Sequence, residues 1–275
     1  MVGTMSPIIR YLQGWTKRFA ADKDLRRILA KPYIEELLPR NPDSWHRSLQ
    51  DPSEYYLNCV RYFHQGADES LRRHREYFKS HQRGFGEDAF HVMWDGLCRV
   101  LRPTSFLEIG VYRGQVISLV ALSARKLGLI CEICGVSPFS HLGDSVSRYS
   151  RSVDYWQDTI ANFRAFGLTP PWLIQGESSQ VRVVQEFSTR SWDLIYIDGN
   201  HEYEAVTQDF ANCTRVLNPS GKIVLDDSAL ESSYQPPLFA TSGHPGPSRF
   251  ASEIRSMGYR EVLCVGHNRV FEKLP

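Results

Sequence analysis

The chain has 275 residues, of which 42% are hydrophobic and 23% are charged, and its formal net charge at pH 7 is +1. This composition is typical of a globular protein, and the length allows one full α/β domain with an accessory segment. The sequence contains no apolar span of about eighteen residues and nothing that resembles a signal peptide. We therefore expect a cytoplasmic protein without an integral membrane span.

Charge is unevenly distributed along the chain. Residues 1–85 carry 15 Lys/Arg against 10 Asp/Glu, a net charge of +5, whereas residues 86–275 carry 17 against 21, a net charge of −4. A basic first third could bind an acidic surface, although a modest excess is more often a solvated helical face. Because no nucleic-acid-binding motif accompanies the excess, we predict no nucleic-acid partner.

The first 85 residues have the pattern of helices with interleaved aromatic side chains. Apolar residues recur at helical spacing, as in Leu25, Ile28 and Leu29, and prolines separate the segments. The pattern predicts a helical N-terminal extension, residues 1–85, packed on the main domain. A lid over the active site, a dimer contact in a homo-oligomer and a membrane-surface helix are the alternatives.

From residue 86 onwards, short apolar runs alternate with amphipathic helices, which is typical of βαβ units and a parallel sheet. The predicted strands are Ser105–Ile109, Ile130–Val136, Trp172–Gln175, Trp192–Asp198 and Lys222–Asp227, followed by the hairpin Tyr259–Val265 and Arg269–Lys273. We therefore predict an α/β fold for residues 86–275. It is a Rossmann-like, doubly wound, seven-stranded and mostly parallel sheet that ends in an antiparallel hairpin.

Two of the predicted strands end in carboxylates, at Asp198 and at Asp226–Asp227. Ligands of open α/β sheets bind in the crevice outside the carboxyl ends of the strands, so these three side chains are expected at one spot. Carboxylates that close repel one another unless protons or a cation compensate them. Hard oxygen ligands favour a divalent metal such as Mg²⁺ over zinc. Separately, each of these residues could instead be a helix or turn cap.

The turn after the first strand, Leu107–Gly114, contains Glu108, Gly110 and Gly114. Gly110 allows a tight turn, and Gly114 allows a ligand to approach the N-terminus of the next helix. The spacing is G-x-x-x-G rather than the G-x-G-x-x-G of dinucleotide-binding proteins, and Glu108 would repel a pyrophosphate. The turn therefore disfavours a nicotinamide-dependent oxidoreductase.

The E-x-G-x-x-x-G turn, the order of elements and the segments Ile-Asp-Gly-Asn-His-x-Tyr (197–203) and Val-Leu-Asp-Asp (224–227) resemble the class I S-adenosylmethionine-dependent methyltransferases. More narrowly, they are similar to the metal-dependent small-molecule O-methyltransferases of the macrocin O-methyltransferase and cephalosporin-hydroxylase-like type. The similarity covers residues 86–275. It implies methyl transfer from S-adenosylmethionine to a hydroxyl of a small molecule, such as a sugar or a natural product.

The resemblance also implies a set of site residues. Those implied for the cofactor are Glu108, Gly110, Gly114, Ser137, Glu177, Ser178 and Asp198, and those implied for the metal are Asp198, Asp226 and Asp227. Ser137 departs from the family, which usually has an acidic residue there to hold the ribose hydroxyls. Asp144, in the following loop, is a candidate substitute.

The general base is a second departure from the family pattern. Some relatives have an acidic residue two places after the first metal ligand, but here that place is Asn200, which cannot act as a base. The neighbouring His201 is the candidate catalytic base, because an imidazole accepts protons near neutral pH. Alternatively, His201 caps the following helix or only contacts the substrate. His244 and Arg249 are further candidates for substrate contacts.

A non-catalytic module that binds the cofactor or another metabolite is the alternative function, and Ser137 and Asn200 favour it. Three retained carboxylates at the strand ends argue against it, because such a module would not need them. Methylation of nucleic acid is disfavoured, since the predicted catalytic domain is acidic and lacks an Asn/Asp-Pro-Pro-Tyr loop for a flipped base.

Overall fold

The computed structural model describes residues 19–80, 82–143 and 149–274. Seven strands form one sheet in the order β3-β2-β1-β4-β5-β7-β6, and only β6 and β7 introduce antiparallel pairs. The strands are β1 Ser105–Ile109, β2 Glu132–Ser137, β3 Trp172–Gln175, β4 Trp192–Ile197, β5 Leu217–Leu225, β6 Tyr259–Val265 and β7 Asn268–Lys273. The predicted Rossmann-like fold with a C-terminal hairpin is confirmed.

Helices cover both faces of the sheet. The first, α1, includes residues 19–29. The others are α2 Trp45–Gln50, α3 Pro52–Gln65, α4 Glu69–Ser80, α5 Asp88–Leu101, α6 Gln115–Lys126, α7 Tyr155–Ala165, α8 Val181–Phe187, α9 Tyr203–Thr214 and α10 Pro245–Glu253. Side chains of β4 alternate between two apolar cores, with Leu194 and Tyr196 in one and Ile195 and Ile197 in the other. This alternation follows from the two-residue period of a strand. No described helix is both long enough and apolar enough to cross a membrane.

Two predicted strand starts differ from the structure by more than one residue. β2 begins at Glu132, because Ile130 is 94% exposed and lies outside the sheet. β5 begins five residues earlier than predicted, since Leu217 already pairs with Trp192 across an irregularity in the register. α10 begins at Pro245, where the missing N–H of proline is tolerated in the first turn of a helix.

The described part of the N-terminal extension packs on the sheet domain through aromatic side chains. Tyr56 and Phe63 of α3 are buried in the same apolar core as Phe90 and Trp94 of α5. Rings of Tyr56 and Phe90 meet edge to face with their centroids 6.4 Å apart. The extension therefore shares a core with the sheet, while a division into two domains at residue 85 stays a prediction.

The central strands end together at one edge of the sheet. Ile109, Ile197 and Leu225 are the last residues of the neighbouring strands β1, β4 and β5. Backbone hydrogen bonds continue just beyond the strands: the Asp198 N–H donates to Ile109 O at 2.8 Å, and the Asp226 N–H donates to Ile197 O at 3.0 Å. This register brings the turn after β1 and the two acidic strand ends to the same place.

Candidate functional site

A cavity of about 610 Å³ opens at the carboxyl ends of β1, β4 and β5. Of the residues proposed from the sequence for the cofactor, the metal and the base, six line it: Glu108, Gly110, Asp198, His201, Asp226 and Asp227. The others, Gly114, Ser137, Glu177 and Ser178, do not. The cavity therefore unites the proposed metal ligands, the proposed base and part of the proposed cofactor site.

Asp198, Asp226 and Asp227 form a crowded group of carboxylates, as their positions in the sequence predicted. Burial raises the pKa of Asp198 well above its usual range, and the Asp226 and Asp227 carboxylates raise it further. Asp226 Oδ1 is buried and forms no hydrogen bond within the described residues. Its 3.3 Å contact with His267 Nδ1 is an ion pair without hydrogen-bond geometry. Asp226 Oδ1 is therefore available to a further hydrogen-bond donor or to a cation.

Asp227 is surrounded by three imidazoles. Its Oδ2 lies 3.0 Å from His201 Nε2 and 3.3 Å from His244 Nε2, and its Oδ1 lies 2.8 Å from His267 Nδ1. Burial alone would raise the pKa of Asp227, but the contacts with His201 and His267 hold it below the usual range. Two groups of potential metal-ligating atoms result: His201, Asp227 and His244, and Asp226, Asp227 and His267.

No motif pointed to a functional role for His267, which was predicted only to lie in the turn of the hairpin. The antiparallel pairing of Leu225 with Arg269 carries that turn to the carboxyl end of β5. Burial would lower the pKa of His267, but the neighbouring Asp226 and Asp227 carboxylates raise it well above the usual range. His267 Nδ1 therefore lies where a positive charge on the ring would stabilise both carboxylates.

A line of polar contacts continues from His267 into the N-terminal extension. His267 Nε2 lies 3.8 Å from Glu87 Oε1, and the hydroxyl of Tyr56 donates to Glu87 Oε2 at 2.6 Å. Burial raises the pKa of Glu87 to about 7, while His267 and Tyr56 act in the opposite direction. A helix of the N-terminal extension thus contacts, through Glu87 and His267, the acidic edge of the sheet.

The backbone at Asp227 adopts a left-handed conformation, with φ of +51°. Its carbonyl accepts hydrogen bonds from the His244 N–H at 2.8 Å and the Ser248 hydroxyl at 3.2 Å. Gly243, with φ of +98°, packs directly against this peptide. Conformations of this kind in residues other than glycine cost free energy and persist only where their surroundings hold them, often at functional sites.

The turn after β1 places Glu108 and Gly110 in the cavity wall. Glu108 Oε2 accepts a hydrogen bond from the Ile117 N–H in the first turn of α6 at 3.1 Å, and burial raises the pKa of Glu108 to about 8. Gly110 has φ of +103°, and an added Cβ would lie 1.8 Å from the Asp198 carbonyl oxygen. This glycine is therefore required for β1 and β4 to end side by side.

The remaining proposed cofactor residues lie around the same edge of the sheet. A Cβ on Gly114 would meet the side chain of Thr159 at 2.8 Å, so this glycine allows close packing of α6 on α7. Ser137 ends β2, and its hydroxyl accepts from the Phe139 N–H at 3.3 Å. Glu177 is exposed and Ser178 is half-buried, beyond the end of β3. Asp144 lies outside the described residues.

The geometry at the start of α9 bears on whether His201 caps that helix or faces the cavity. Asn200 Oδ1 accepts a hydrogen bond from the Glu202 N–H at 2.9 Å and closes a turn just before α9, while the N-cap residue Glu202 makes no side-chain capping hydrogen bond. His201 is left facing the cavity and Asp227. Of the two candidates for substrate contact, His244 lines the cavity, whereas Arg249 is exposed on α10 and lies over the Tyr203 ring at 4.2 Å.

Aromatic side chains form the rim of the cavity. Phe85 is 76% exposed and packs on Tyr112, with the ring centroids 4.9 Å apart. Tyr112 in turn contacts Tyr149 at 5.1 Å, and Phe239 also lines the cavity. Sequence reasoning did not single out these residues, because they come from separate loops that only the fold brings together.

Comparison with known proteins identifies the domain. A family model described as a methyltransferase domain matches residues 107–228, from β1 to the residue after Asp227. Residues 107–228 thus form a methyltransferase domain. The match confirms the prediction of an S-adenosylmethionine-dependent methyltransferase, and the domain contains both the turn after β1 and the carboxylate group. No curated protein matches the sequence.

Solved structures share the methyltransferase fold at low sequence identity. The S-adenosylhomocysteine-bound methyltransferase PaMTH1 from Podospora anserina is 15% identical, with a TM-score of 0.54 over 89% of this chain and 98% of that one. An O-methyltransferase from Bacillus cereus, in complex with S-adenosylhomocysteine, is 13% identical, with a TM-score of 0.53 over 85% and 100%. The O-methyltransferase TomG from Streptomyces achromogenes, in complex with S-adenosylmethionine, is 12% identical, with a TM-score of 0.51 over 76% and 91%.

Proposed function

We propose that the protein transfers a methyl group from S-adenosylmethionine to a hydroxyl of a small molecule bound in the cavity, with the help of a divalent cation. The observation that carries the proposal is the gathering of Asp198, Asp226 and Asp227 beside the Gly110 turn, in one cavity of a methyltransferase domain. Oxygen as the methyl acceptor is consistent with the O-methyltransferases that share the fold.

The donor atoms of the carboxylate group fit a divalent cation. Asp226 Oδ1 is buried without a hydrogen bond, and burial together with the neighbouring Asp226 and Asp227 carboxylates raises the pKa of Asp198. A positive charge would therefore stabilise both the Asp198 and the Asp226 carboxylate. Asp198, Asp226 and Asp227 would hold Mg²⁺, which prefers carboxylate oxygens. A bound cation would lower the pKa of the acceptor hydroxyl. The protein contributes the position of these oxygens, fixed by the hydrogen bonds between the strand ends.

His201 is the proposed acceptor of the hydroxyl proton. It lines the cavity, and its Nε2 contacts Asp227 Oδ2 at 3.0 Å. A carboxylate on one imidazole nitrogen orients the ring and stabilises the imidazolium that forms when the ring takes up a proton.

We expect His201→Gln to lower kcat by about 10²- to 10⁴-fold, the usual contribution of a positioned general base, with the affinity for S-adenosylmethionine within about twofold of wild type. His244→Gln is the matched control, because His244 contacts the same Asp227 oxygen. Steady-state kinetics of the two variants give the comparison. Equal losses in both would mean that the histidines act only through Asp227, and would remove His201 as the base.

The rim of the cavity supports a ring-shaped acceptor. Phe85, Tyr112 and Phe239 present aromatic surface at the opening, and rings of phenols or sugars pack favourably on such surfaces. A hydroxyl on a phenol or on a sugar is therefore the proposed target. Methyl transfer of this kind depends mainly on holding the donor and acceptor in line, which a rigid rim favours.

Calorimetric titration with S-adenosylmethionine and S-adenosylhomocysteine, with and without Mg²⁺, tests the proposed function. We expect micromolar binding of both, which would make a screen of phenols and sugars as acceptors worthwhile. Loss of turnover in chelator, restored by added Mg²⁺, would support the cation. Absence of binding under every metal condition would contradict methyl transfer from this donor.

A further inference from the structure

One oxygen of Asp227 lies between two imidazoles that reach it from different loops. Asp227 Oδ2 is 3.0 Å from His201 Nε2, in the loop before α9, and 3.3 Å from His244 Nε2, in the loop before α10. The ligand atoms of these three residues all lie within 4.8 Å of one another. We propose that His201, His244 and Asp227 form a second metal site, which takes a borderline-soft divalent ion such as Zn²⁺ and whose occupation inhibits methyl transfer.

The two distances match the spacing of ligands around a small ion. Four-coordinate zinc has bonds of about 2.0–2.1 Å to imidazole nitrogen and to carboxylate oxygen, so its neighbouring ligand atoms are about 3.3–3.4 Å apart. The separations of 3.0 and 3.3 Å at Asp227 Oδ2 are close to that value. The rings of His201 and His244 have centroids 4.7 Å apart and planes inclined at 60°, so they are not stacked. Small rotations of these side chains would bring both nitrogens to one ion.

The backbones that carry the three ligands are tied to one another. The His244 N–H donates to Asp227 O at 2.8 Å, which joins the second imidazole to the carboxylate. A Cβ on Gly246 would lie 2.1 Å from His201 O, so the first turn of α10 packs directly against the peptide of the first imidazole. Ligands held by rigid neighbouring elements bind a metal without the cost of ordering them. The site is therefore built by the fold rather than by side chains that meet on an open surface.

Two imidazoles and one carboxylate favour a different ion from the one proposed for the three carboxylates. Imidazole nitrogen suits Zn²⁺ and its neighbours in the periodic table, whereas Mg²⁺ takes oxygen ligands. His201 and His244 both line the cavity, and no cysteine is among the described residues that line it. Three protein ligands leave a fourth position for water. This donor set therefore selects Zn²⁺ over Mg²⁺.

The charges around Asp227 leave its Oδ2 side to the second site. His267 Nδ1 contacts the other oxygen, Oδ1, at 2.8 Å, so the two oxygens of this carboxylate serve different partners. Asp198 and Asp226 line the same cavity. Their negative charge attracts a dication and does not repel it. An ion at Oδ2 would thus share Asp227 with the proposed Mg²⁺ site but would take its other ligands from the loops.

Occupation of the second site would remove the proposed base, a consequence that rests on the proposed function. A neutral imidazole has one N–H and one lone pair. The Nε2 atom of His201 faces Asp227, so a metal there takes the lone pair of the ring and leaves the proton on Nδ1. The ring then has no lone pair left to accept the proton of the acceptor hydroxyl. Zn²⁺ should therefore inhibit the reaction that Mg²⁺ supports.

Metal binding is tested on the full chain with Zn²⁺ alone, by competition with a chromogenic chelator and without any activity assay. Loss of a group that only orients a ligand costs about 10- to 100-fold in metal affinity, and loss of a ligand should cost at least as much. We therefore expect His244→Gln and His201→Gln each to weaken Zn²⁺ binding by at least about tenfold. His46→Gln makes the same change at an exposed position of α2 and should leave it unchanged. Equal affinity in wild type and His244→Gln, or no binding by wild type, would overturn the site.

Thermal unfolding and kinetics complete the test. A ligand that binds only the folded protein raises the melting temperature, so Zn²⁺ should raise that of wild type and not that of His244→Gln. In assays with Mg²⁺, the Zn²⁺ concentration for half-inhibition should rise at least about tenfold in His244→Gln, relative to the uninhibited rate of that variant. An unchanged concentration would overturn the inhibitory role. If wild type binds no S-adenosylmethionine, the proposed function fails, but the chelator competition and the melting temperatures still decide on the metal site.

Discussion

Replacing Asp227 with alanine is expected to abolish methyl transfer, with a loss of about 10³-fold or more in kcat, while S-adenosylmethionine still binds. Asp227 is the carboxylate on which His201, His244 and His267 converge, so its removal takes away a proposed cation ligand and the partner of the proposed base. A loss of that size corresponds to about 4 kcal/mol of transition-state stabilisation. Single-turnover rates and calorimetry on the same preparation measure both properties.

Asp227→Asn is the matched control for the backbone. Asparagine tolerates the left-handed conformation at φ of +51° nearly as well as aspartate does, whereas alanine does not. If charge is what matters, the asparagine variant should fold like wild type and still lose turnover. Full activity of wild type and of both variants in the presence of chelator would remove the cation from the proposal.

Substituting Gly243 with alanine is expected to damage the site from a distance of sixteen positions in the sequence. The new Cβ would lie 2.2 Å from both the carbonyl carbon and oxygen of Asp227, so the peptide that positions this carboxylate must shift. We expect the free energy of unfolding to fall by about 3 kcal/mol, from left-handed strain and steric overlap together. Turnover of the folded fraction should fall at least about 10²-fold, because a displacement of about 1 Å suffices for that.

Gly258 provides the comparison for Gly243. It also has a positive φ, +84°, but an added Cβ there would meet nothing within 4 Å. Gly258→Ala should therefore lose only about 1 kcal/mol of stability and keep its turnover. Thermal unfolding and kinetics of both variants separate the effect of left-handed backbone strain from the effect of steric overlap with Asp227. If the Gly243→Ala and Gly258→Ala variants behaved alike, the contact of Gly243 with Asp227 would not contribute to turnover.

Periodicity and strand endings predicted much of this architecture. Runs such as Trp192–Ile197 are apolar on both faces, which indicates central parallel strands, and the acids that follow them must then meet at one edge. The positions of these acids depend on strand order and direction and not on side-chain contacts. The strand pattern therefore placed Asp198, Asp226 and Asp227 together correctly.

Other parts of the site depend on contacts that no local pattern encodes. His267 reaches Asp227 only because β7 runs antiparallel to β5, which a turn signal at Gly266 does not reveal. Asn200 and His201 are adjacent in the sequence, and only the geometry before α9 turns the side chain of Asn200 to the backbone and that of His201 to the cavity.

The shared core of the extension and the sheet has a consequence for how such a protein can be divided or recombined. The matched family segment, residues 107–228, leaves out Trp94, Phe90, Tyr56 and His267, which lie in the packing behind the catalytic edge. Transferred to another protein, that segment would expose apolar surface and lose the charge partner of Asp226 and Asp227. The structural unit that holds this site together is therefore larger than the segment that the family model matches.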